Sequence, residues 1–480
     1  MFNLFIDKIN EVFDASCAPV KLGDRDLSCL LWADDLVMFS RTAEGLQSAI
    51  NKTQLFYESL GLKINIKKTK VLILNKRGVT LNTQFNFYLG NKKLEITDQY
   101  QYLGLKLRPS GSMTFAVQEL NTKASRAWFS ISRVLFKHKR MEVGKALQIF
   151  DSLVTPVSTY GCEFWLPHLL PAKSFKSCES LLSSWETFLP EKLNQQCCRM
   201  LLSVHRKTSR LAVLGELGRY PLFLKSLSHC LNYRLYLNLK VSTDTVLGSL
   251  MTEMKNMTDK DQDCWLLKVK KIEKMLNLPK ISGLSKTSGK LITNGLKKKF
   301  DKLWLDNVNL VKVGQDMTNH NKLRTYSKVK FGFSRETYLN LVRNRNQRSW
   351  LSRLRTSSHN LGIEVGRYSN IPVNKRFCTY CSKTPPTQTT PSPTFIDDEE
   401  HFLMKCKTFT ISRNCFLGKY TSIAPEFRKL NDEEKFIRLL CPKTAQEAKL
   451  INKFIKILFD WREKIDNGFE IKNLGIFFTS

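Results

Sequence analysis

The sequence has no long hydrophobic run and is short of acidic residues. It contains no stretch of about 18 uncharged apolar residues, the length that spans a bilayer. Its N-terminus, MFNLFIDKINEVFD, has acids where a signal peptide would be apolar. Asp and Glu number 43 against 76 Lys and Arg, so the net charge is +33. We therefore expect a soluble protein whose partner is a polyanion, RNA or DNA, rather than a membrane.

A secretory disulfide framework is also missing. The 13 cysteines are odd in number and scattered through 480 residues without a secretory signal. This pattern favours a reducing, intracellular compartment, nuclear or cytoplasmic. Clustered cysteines are then candidates for metal binding. The oligomeric state is not specified by any of these patterns.

Two regions of the chain differ in their predicted secondary structure. Leu27–Ser40 (LSCLLWADDLVMFS) predicts a β-hairpin with Ala-Asp-Asp at its turn. Thr42 caps a predicted helix that ends before Gly61, and a strand is predicted over Leu62–Leu74. After about residue 113 the apolar spacing is mostly helical, apart from a predicted exposed loop at 282–299 and a low-complexity segment at 384–394.

Asp34 and Asp35 at the predicted turn are candidate metal ligands. Hard Mg²⁺ prefers oxygen ligands and takes one or two carboxylates together with substrate phosphates. Asp-Asp is also common in ordinary turns, so the spacing by itself leaves both interpretations open.

The residues around this pair resemble reverse transcriptases of non-LTR (LINE-type) retrotransposons. LLWADDLVMFS resembles the family's Phe/Tyr-Ala-Asp-Asp hairpin, with Trp32 at the aromatic position. YLGLKL at 102–107, which the pattern predicts as a short strand, resembles the family's primer-grip hairpin. Phe2 to Ile6 resembles the end of the preceding motif. The segments 153–165, 212–221 and 354–368 look like the post-polymerase region. The following motif is matched by Gly61, Leu62, Asn65, Lys68, Thr69 and Lys70.

The resemblance implies roles for these residues. Asp34 and Asp35 would hold Mg²⁺ in a site where two metal ions align a primer 3′-oxygen with a triphosphate. Lys68 or Lys70 would neutralise or protonate the departing pyrophosphate, although a solvated basic strand face explains them equally well.

The sequence departs from the family pattern upstream of the hairpin. The family's third carboxylate belongs to a motif well before Ala-Asp-Asp, and 33 residues precede Asp34. The acids in that stretch, Asp7, Asp14, Asp24 and Asp26, have no matching context. We therefore expect a truncated copy without fingers and without the first catalytic Asp, inactive as a polymerase by itself.

Four cysteine and histidine residues near the C-terminus predict a zinc site. Their spacing is C-x2-C-x19-H-x4-C, and Zn²⁺ takes four such ligands at tetrahedral corners. Four reduced side chains without metal are the alternative. The acids at 397–400 indicate the start of a helix, and Cys415 is expected to be a packed thiol outside the ligand set. The motif also resembles the C-terminal Cys-Cys-His-Cys segment of non-LTR element proteins. The predicted ligands are Cys378, Cys381, His401 and Cys406.

Basic residues concentrate between positions 264 and 355, with 22 Lys and Arg against 5 acids. Contacts with phosphates would explain the basic residues, and the aromatics interleaved with them would stack on bases. Most of those aromatics are nevertheless expected in the core. A solvated charged face is the alternative interpretation of the basic residues. His205 and His359 lack a partnered Ser or Cys and are interpreted as structural. A second basic run is formed by His205, Arg206, Lys207 and Arg210. The predicted nucleic-acid contacts are Lys297, Lys298, Lys299, Arg343, Arg345 and Arg348.

The expected fold class is α+β, with an incomplete palm followed by a mostly α-helical thumb and C-terminal region. Four segments are predicted: a partial palm at 1–110, a thumb-like region at 111–230, a basic helical connection at 231–374, and a zinc module with a terminal helix at 375–480. One hypothesis is an RNA-directed DNA polymerase of LINE type, here a remnant, that binds Zn²⁺ and would bind Mg²⁺ if the polymerase site were complete. The other is a non-catalytic RNA- or DNA-binding protein derived from such an element.

Overall fold

The computed structural model describes residues 6–75, 85–137, 141–170, 176–278, 286–309, 322–381 and 395–468. The chain divides into two compact units. The first consists of residues 1–123, 158–184 and 225–295, and the second of 124–157, 185–224 and 296–480. Because both units are discontinuous in sequence, they cut across the four predicted segments, which stay a prediction.

The strands of the described residues are short and lie in the first unit. They form five two-stranded sheets, in which β5 and β8 are parallel and the other pairs are antiparallel: β1 with β2, β3 with β4, β6 with β7, and β9 with β10. The strands are β1 Val20–Leu22, β2 Arg25–Leu27, β3 Cys29–Trp32, β4 Asp35–Met38, β5 Lys70–Val71, β6 Tyr88–Leu89, β7 Lys92–Lys93, β8 Glu95–Ile96, β9 Tyr100–Tyr102 and β10 Leu105–Leu107.

Helices make up most of the remaining described chain, so the predicted mostly helical α+β fold is confirmed. The α-helices are α1 Ala43–Ser59, α2 Thr114–Lys137, α3 Val143–Leu153, α4 Thr155–Ser158, α5 Cys162–Leu169, α6 Cys178–Leu182, α7 Glu191–Leu202, α8 Arg210–Leu217, α9 Leu222–Lys240, α10 Val246–Asp259, α11 Trp265–Leu276, α12 Lys286–Asn309, α13 Arg324–Val329, α14 Thr337–Leu341, α15 Ser349–Arg355, α16 Gly362–Tyr368, α17 Thr410–Ile423, α18 Asp432–Leu440 and α19 Ala445–Asp466. Over the described ranges, none of the helices combines the length and apolarity needed to cross a membrane.

Helix α1 begins and ends as the sequence predicts. The Thr42 side chain accepts a hydrogen bond from the backbone N–H of Gly45, and Gly61 follows the helix with a φ of 70°. Gly45 is required by close packing, because a Cβ there would lie 2.6 Å from the Cβ of Ala18. The helix packs through Ile50 against a cluster that includes Val71 and three other buried apolar residues, Phe87, Leu89 and Leu94.

Three predictions of local structure are corrected. The strand predicted over Leu62–Leu74 is reduced to Lys70–Val71, after a turn that contains Lys68. Tyr102–Leu107 spans the turn of a hairpin rather than one strand. The loop predicted at 282–299 is helical from Lys286 onwards. Leu296, Phe300 and Trp304 recur every four residues there and are buried, which stabilises a helix despite the Ser, Gly and Lys content. The segments 2–5 and 384–394 lie outside the described residues.

Two motifs singled out in the sequence meet in the core of the second unit. Glu216, in the 212–221 motif, is paired with Arg355, in the 354–368 motif, with 2.7 Å between Nε and Oε1 and both side chains fully buried. Tyr338 also donates its hydroxyl hydrogen to Glu216, at 2.7 Å. Because an unpaired buried charge is costly, these contacts fix the two motifs against each other.

Candidate metal centre and catalytic hairpin

The predicted hairpin with Asp34 and Asp35 is present. Strands β3 and β4 pair in antiparallel register, with Trp32 opposite Asp35, so Ala33 and Asp34 form the two-residue turn. Ala33 has a φ of 51°, in the left-handed region that favours glycine. Both aspartates are exposed, and Trp32 is 67% exposed beside them. A hairpin tip of this kind presents two carboxylates to solvent and to a ligand.

A second hairpin, β9–β10, lies next to the segments that carry the predicted catalytic residues. Burial and, after it, the negative charge of Asp35 raise the pKa of Tyr102 in β9. The Tyr100 hydroxyl of the same strand donates a hydrogen bond to the backbone carbonyl of Lys68 over 3.4 Å. Strand β9 thus contacts the Lys68 turn and is close to Asp35.

The two predicted lysines differ in their surroundings. Lys68 has an exposed side chain in the turn before β5. Lys70, in β5, forms an ion pair with Glu95 in the adjacent strand β8. Lys68 is therefore the better candidate for contact with a phosphate.

Asp34 and Asp35 provide the oxygen donors that a hard cation requires. Exposed oxygen donors on a tight turn are the ligands that Mg²⁺ takes alongside water and substrate phosphates. Within the described ranges, the clusters of three or more metal-binding side chains lie elsewhere and include neither aspartate. The hairpin thus offers two protein carboxylates.

The four predicted zinc ligands converge in the second unit. One ligand atom from each of Cys378, Cys381, His401 and Cys406 lies within 4.8 Å of all the others. The Cys381 sulfur is 3.6 Å from that of Cys406 and 3.3 Å from the Nε2 of His401, and the sulfurs of Cys378 and Cys406 are 3.9 Å apart. Zn–S bonds of about 2.3 Å at tetrahedral angles place two sulfurs roughly 3.8 Å apart. The donor set therefore fits Zn²⁺.

Local backbone structure brings the ligand pairs together. Phe377 and Ile396 form an isolated antiparallel bridge, and the backbone N–H of Cys378 donates to the carbonyl of Phe395 at 2.8 Å. The Asp398 carboxylate accepts a hydrogen bond from the His401 N–H at 2.8 Å, where the short π-helical turn His401–Lys405 begins. The predicted acidic helix start before His401 is thus confirmed.

Buried arginines surround this centre. Arg462, in α19, forms an ion pair with buried Asp397, and its Nη2 lies 3.9 Å from the Cys378 sulfur. Arg413 donates to the carbonyls of Leu403 and Cys406 at 2.8 and 2.7 Å. The hydrogen bond between the two thiols lowers the pKa of Cys378 and raises the pKa of Cys406. Positive charge and a readily formed thiolate both favour metal binding.

Two sequence predictions near these sites are corrected. Cys415 is exposed rather than packed, because its neighbour Phe416 takes the buried face of α17 and stacks on Phe454. Arg348 was predicted to contact nucleic acid, yet it is 1% exposed and donates to the carbonyls of Val342 and Arg343. Its guanidinium is committed to the backbone of its own unit.

The other predicted nucleic-acid contacts lie nearer the surface. Lys298 is exposed on α12, whereas Lys299 is half-buried and Lys297 places its ammonium 5.1 Å from the centre of the Tyr220 ring. Arg343 is exposed and pairs with Glu142 at 3.0 Å, while Arg345 packs over Phe136. The aromatics interleaved with the basic residues are Trp265, Trp304, Tyr326 and Trp350, and the first three are core residues.

Comparison with known proteins identifies the family of the hairpin region. Residues 1–107, which contain the Asp34–Asp35 turn, match the family model described as reverse transcriptase (RNA-dependent DNA polymerase). A retrovirus-related Pol polyprotein from the type-2 retrotransposable element R2DM of Drosophila melanogaster is 31% identical over 117 residues, 23% of this chain and 11% of that protein. Residues 1–107 are thus reverse-transcriptase-like, and the chain is similar to Pol polyproteins of R2 retrotransposable elements.

Two further relatives agree with this assignment. A Pol polyprotein from a type-1 retrotransposable element R2 of Nasonia vitripennis is 31% identical over 91 residues, 18% of this chain and 9% of that protein. A transposon-derived protein of Caenorhabditis elegans, F52C9.6, is 26% identical over 147 residues, 30% of this chain and 51% of that protein. The matched segments thus span about half of one relative and about a tenth of the other two.

Proposed function

We propose that this chain carries the catalytic hairpin and a zinc-dependent nucleic-acid-binding region of an RNA-directed DNA polymerase. The observation that carries the proposal is the β3–β4 hairpin, which presents Asp34 and Asp35 at an exposed turn inside the segment that matches reverse transcriptases. The polymerase activity itself would belong to the whole protein.

Asp34 and Asp35 would be the protein ligands of Mg²⁺. When bound, the ion would neutralise phosphoryl charge and lower the pKa of a primer hydroxyl. The exposed Lys68 would contact the phosphates, since the Tyr100 hydroxyl fixes its backbone and leaves the side chain free to extend. The β9–β10 hairpin would support the primer strand beside Asp35.

The Cys/His centre would hold Zn²⁺ in a structural role. Its four positions are filled by protein, which leaves no open position for a reacting group. The metal would fix the bridge at Phe377–Ile396 and the turn at His401–Lys405 against α19. The basic side chains of the same unit would bind RNA and DNA.

Manganese binding tests the hairpin assignment, because Mn²⁺ takes the same oxygen ligands and is visible by electron paramagnetic resonance. We expect Asp34→Asn to weaken Mn²⁺ binding by about tenfold, since it removes one charged ligand. Asp24→Asn is the matched control, because Asp24 is an exposed aspartate at the turn of the β1–β2 hairpin. Equal effects of the two substitutions would contradict the assignment. A primer-extension assay on an RNA template then tests whether the 480-residue chain is sufficient for synthesis.

A further inference from the structure

The second basic run of the sequence lines an open pocket in the second unit. The pocket has a volume of about 540 Å³. It lies between the end of α7, the loop that leads into α8, and the residues just before α13. It is lined by Arg199, Arg206, Lys207, Thr208, Ser209, Arg210, Lys322 and Leu323. Five of these eight residues are cations, and none is acidic.

In the described part of the chain, the positive charges of the pocket are not paired with acids. Within the described ranges, none of its five cations forms an ion pair with a carboxylate. Lys322 and Arg210 instead donate to the backbone carbonyls of Lys207 and Glu186. Burial, followed by the positive charges of Arg367, Lys207 and Arg199, lowers the pKa of Lys322. Like charges are therefore held close together, an arrangement that an anion would relieve.

Two pocket residues have buried polar atoms without a partner. Thr208 is 4% exposed, and its hydroxyl oxygen has no hydrogen-bond partner in the described part of the chain. The Nε of Arg199 is likewise buried without a partner there. Because buried polar groups are nearly always hydrogen-bonded, these two atoms are candidates for contact with water or with a ligand of the pocket.

The start of helix α8 adds a further feature that attracts anions. Its N-cap residue, Ser209, lines the pocket, and the Ser209 side chain does not cap the helix. The first N–H groups of a helix carry partial positive charge and bind phosphate oxygens. The Arg206 guanidinium, for which no partner is found among the described residues, suits the same oxygens.

We propose that this pocket binds a phosphate group. The donors and charges of the pocket carry this proposal, and only the source of the phosphate rests on the proposed function. A nucleic-acid strand would supply it as a backbone phosphodiester, whereas a free nucleotide or pyrophosphate would supply it as a terminal phosphate.

Pyrophosphate titration by calorimetry at fixed ionic strength tests the pocket directly. We expect Arg206→Gln combined with Arg210→Gln to weaken pyrophosphate binding by at least about tenfold, because two charge-assisted contacts are removed. Arg428→Gln combined with Lys429→Gln removes the same charge from exposed positions of the same unit and should change affinity by less than about twofold. Equal losses in both double variants, or no pyrophosphate binding by the unsubstituted chain, would overturn the proposal.

Thr208→Val separates a specific contact from general electrostatics. The substitution keeps shape and removes an unpartnered hydroxyl, so folding should be retained and pyrophosphate affinity should fall about threefold or more. Unchanged affinity would count against the proposed contact.

Fluorescence anisotropy with a labelled single-stranded RNA distinguishes the two sources. If the pocket takes a backbone phosphate, the Arg206/Arg210 double variant also weakens RNA binding and flattens its salt dependence. If it takes a terminal phosphate, RNA binding is unchanged while pyrophosphate binding falls. Both results support the pocket, and neither depends on the Mn²⁺ test of the hairpin.

Discussion

The Asp34–Asp35 hairpin and the Cys/His centre differ in how they would bind the metals proposed for them. Asp34, in the two-residue turn, and Asp35, the first residue of β4, are exposed, whereas Cys378 and Cys406 are buried. The Phe377–Ile396 bridge, the hydrogen bond from His401 to Asp398 and buried arginines hold the Cys/His centre. The hairpin presents two candidate ligands and the centre presents four.

The difference agrees with the role proposed for each ion. A catalytic Mg²⁺ keeps water and substrate oxygens among its ligands, so its protein ligands lie at an open edge. A structural Zn²⁺ is enclosed by protein and contributes binding free energy to folding. The hairpin should therefore tolerate loss of its ligands in the folded state, and the centre should not.

Loss of a zinc ligand should have the largest effect. We expect Cys378→Ser or Cys406→Ser to abolish binding of one zinc per chain, which removes free energy on the order of 10 kcal/mol from folding around the centre. Hydrogen exchange should then increase at 376–381 and 395–409 and stay unchanged in α7 and α8. Metal analysis of protein purified without chelators measures the stoichiometry. Cys415→Ser is the control, because Cys415 is exposed and outside the ligand set. A need for Cys415, or full zinc content without His401, would show the ligand set to be wrong.

The arginine beside the centre should have the next largest effect. Arg462→Met leaves Asp397 buried without its ion-pair partner, which we expect to cost about 3–5 kcal/mol although no zinc ligand is removed. Thermal unfolding with zinc present measures the loss. Lys456→Met, which removes an exposed cation from the same helix, should change stability by less than about 0.5 kcal/mol. Similar losses in the two variants would mean that the buried pair does not support the centre.

A buried acid in the second unit should make its stability depend on pH. Burial raises the pKa of Glu191 to about 7, from an ordinary value of 4.5. Between about pH 4.5 and 7, Glu191 therefore keeps its proton in the folded state and loses it in the unfolded chain. The free energy of unfolding is then highest below pH 4.5 and decreases as the pH rises through 7. The shift corresponds to about 3 kcal/mol.

Glu191→Gln should remove this pH dependence, and Glu433→Gln, at an exposed site in α18, should leave it unchanged. Denaturant midpoints between pH 4.5 and 8 measure the slope. A slope that persists in Glu191→Gln would assign the titration to another group.

Nucleic-acid binding should respond more modestly to the α12 lysines. Replacing Lys297, Lys298 and Lys299 with Gln should weaken single-stranded RNA binding by about tenfold and flatten the slope of log K against log salt by up to about 2, because counterion release scales with phosphate contacts. Lys297 lies over the Tyr220 ring and should contribute least. An unchanged slope would remove this cluster from the interface.

Sequence patterns predicted the features that depend on neighbouring residues. The Asp34–Asp35 hairpin, the Thr42 cap and the acidic turn before His401 all follow from local spacing. The convergence of Cys378 and Cys406 was also predictable, because zinc ligands recur at known spacings.

Features set by distant contacts were not predictable. Glu216 and Arg355 pair across 139 residues, and nothing in either motif specifies the other. The sequence predicts Arg348 as a surface arginine, yet it is buried and donates hydrogen bonds to the carbonyls of Val342 and Leu201. The role proposed for the Thr208 hydroxyl depends on the pocket around it, which the sequence does not show.

The smallest effect on folding stability is expected for substitutions in the hairpin. These substitutions test the comparison between the hairpin and the Cys/His centre most directly. Asp34→Asn should change folding stability by less than about 0.5 kcal/mol, because the side chain is exposed. Ala33→Gly should be neutral or slightly stabilising, since glycine accepts the φ of 51° without the strain that alanine bears. Thermal unfolding of both variants, alongside Mn²⁺ binding, separates stability from ligation. A large loss of stability in Asp34→Asn would mean that the carboxylate serves folding, and the contrast with the enclosed Cys/His centre would then fail.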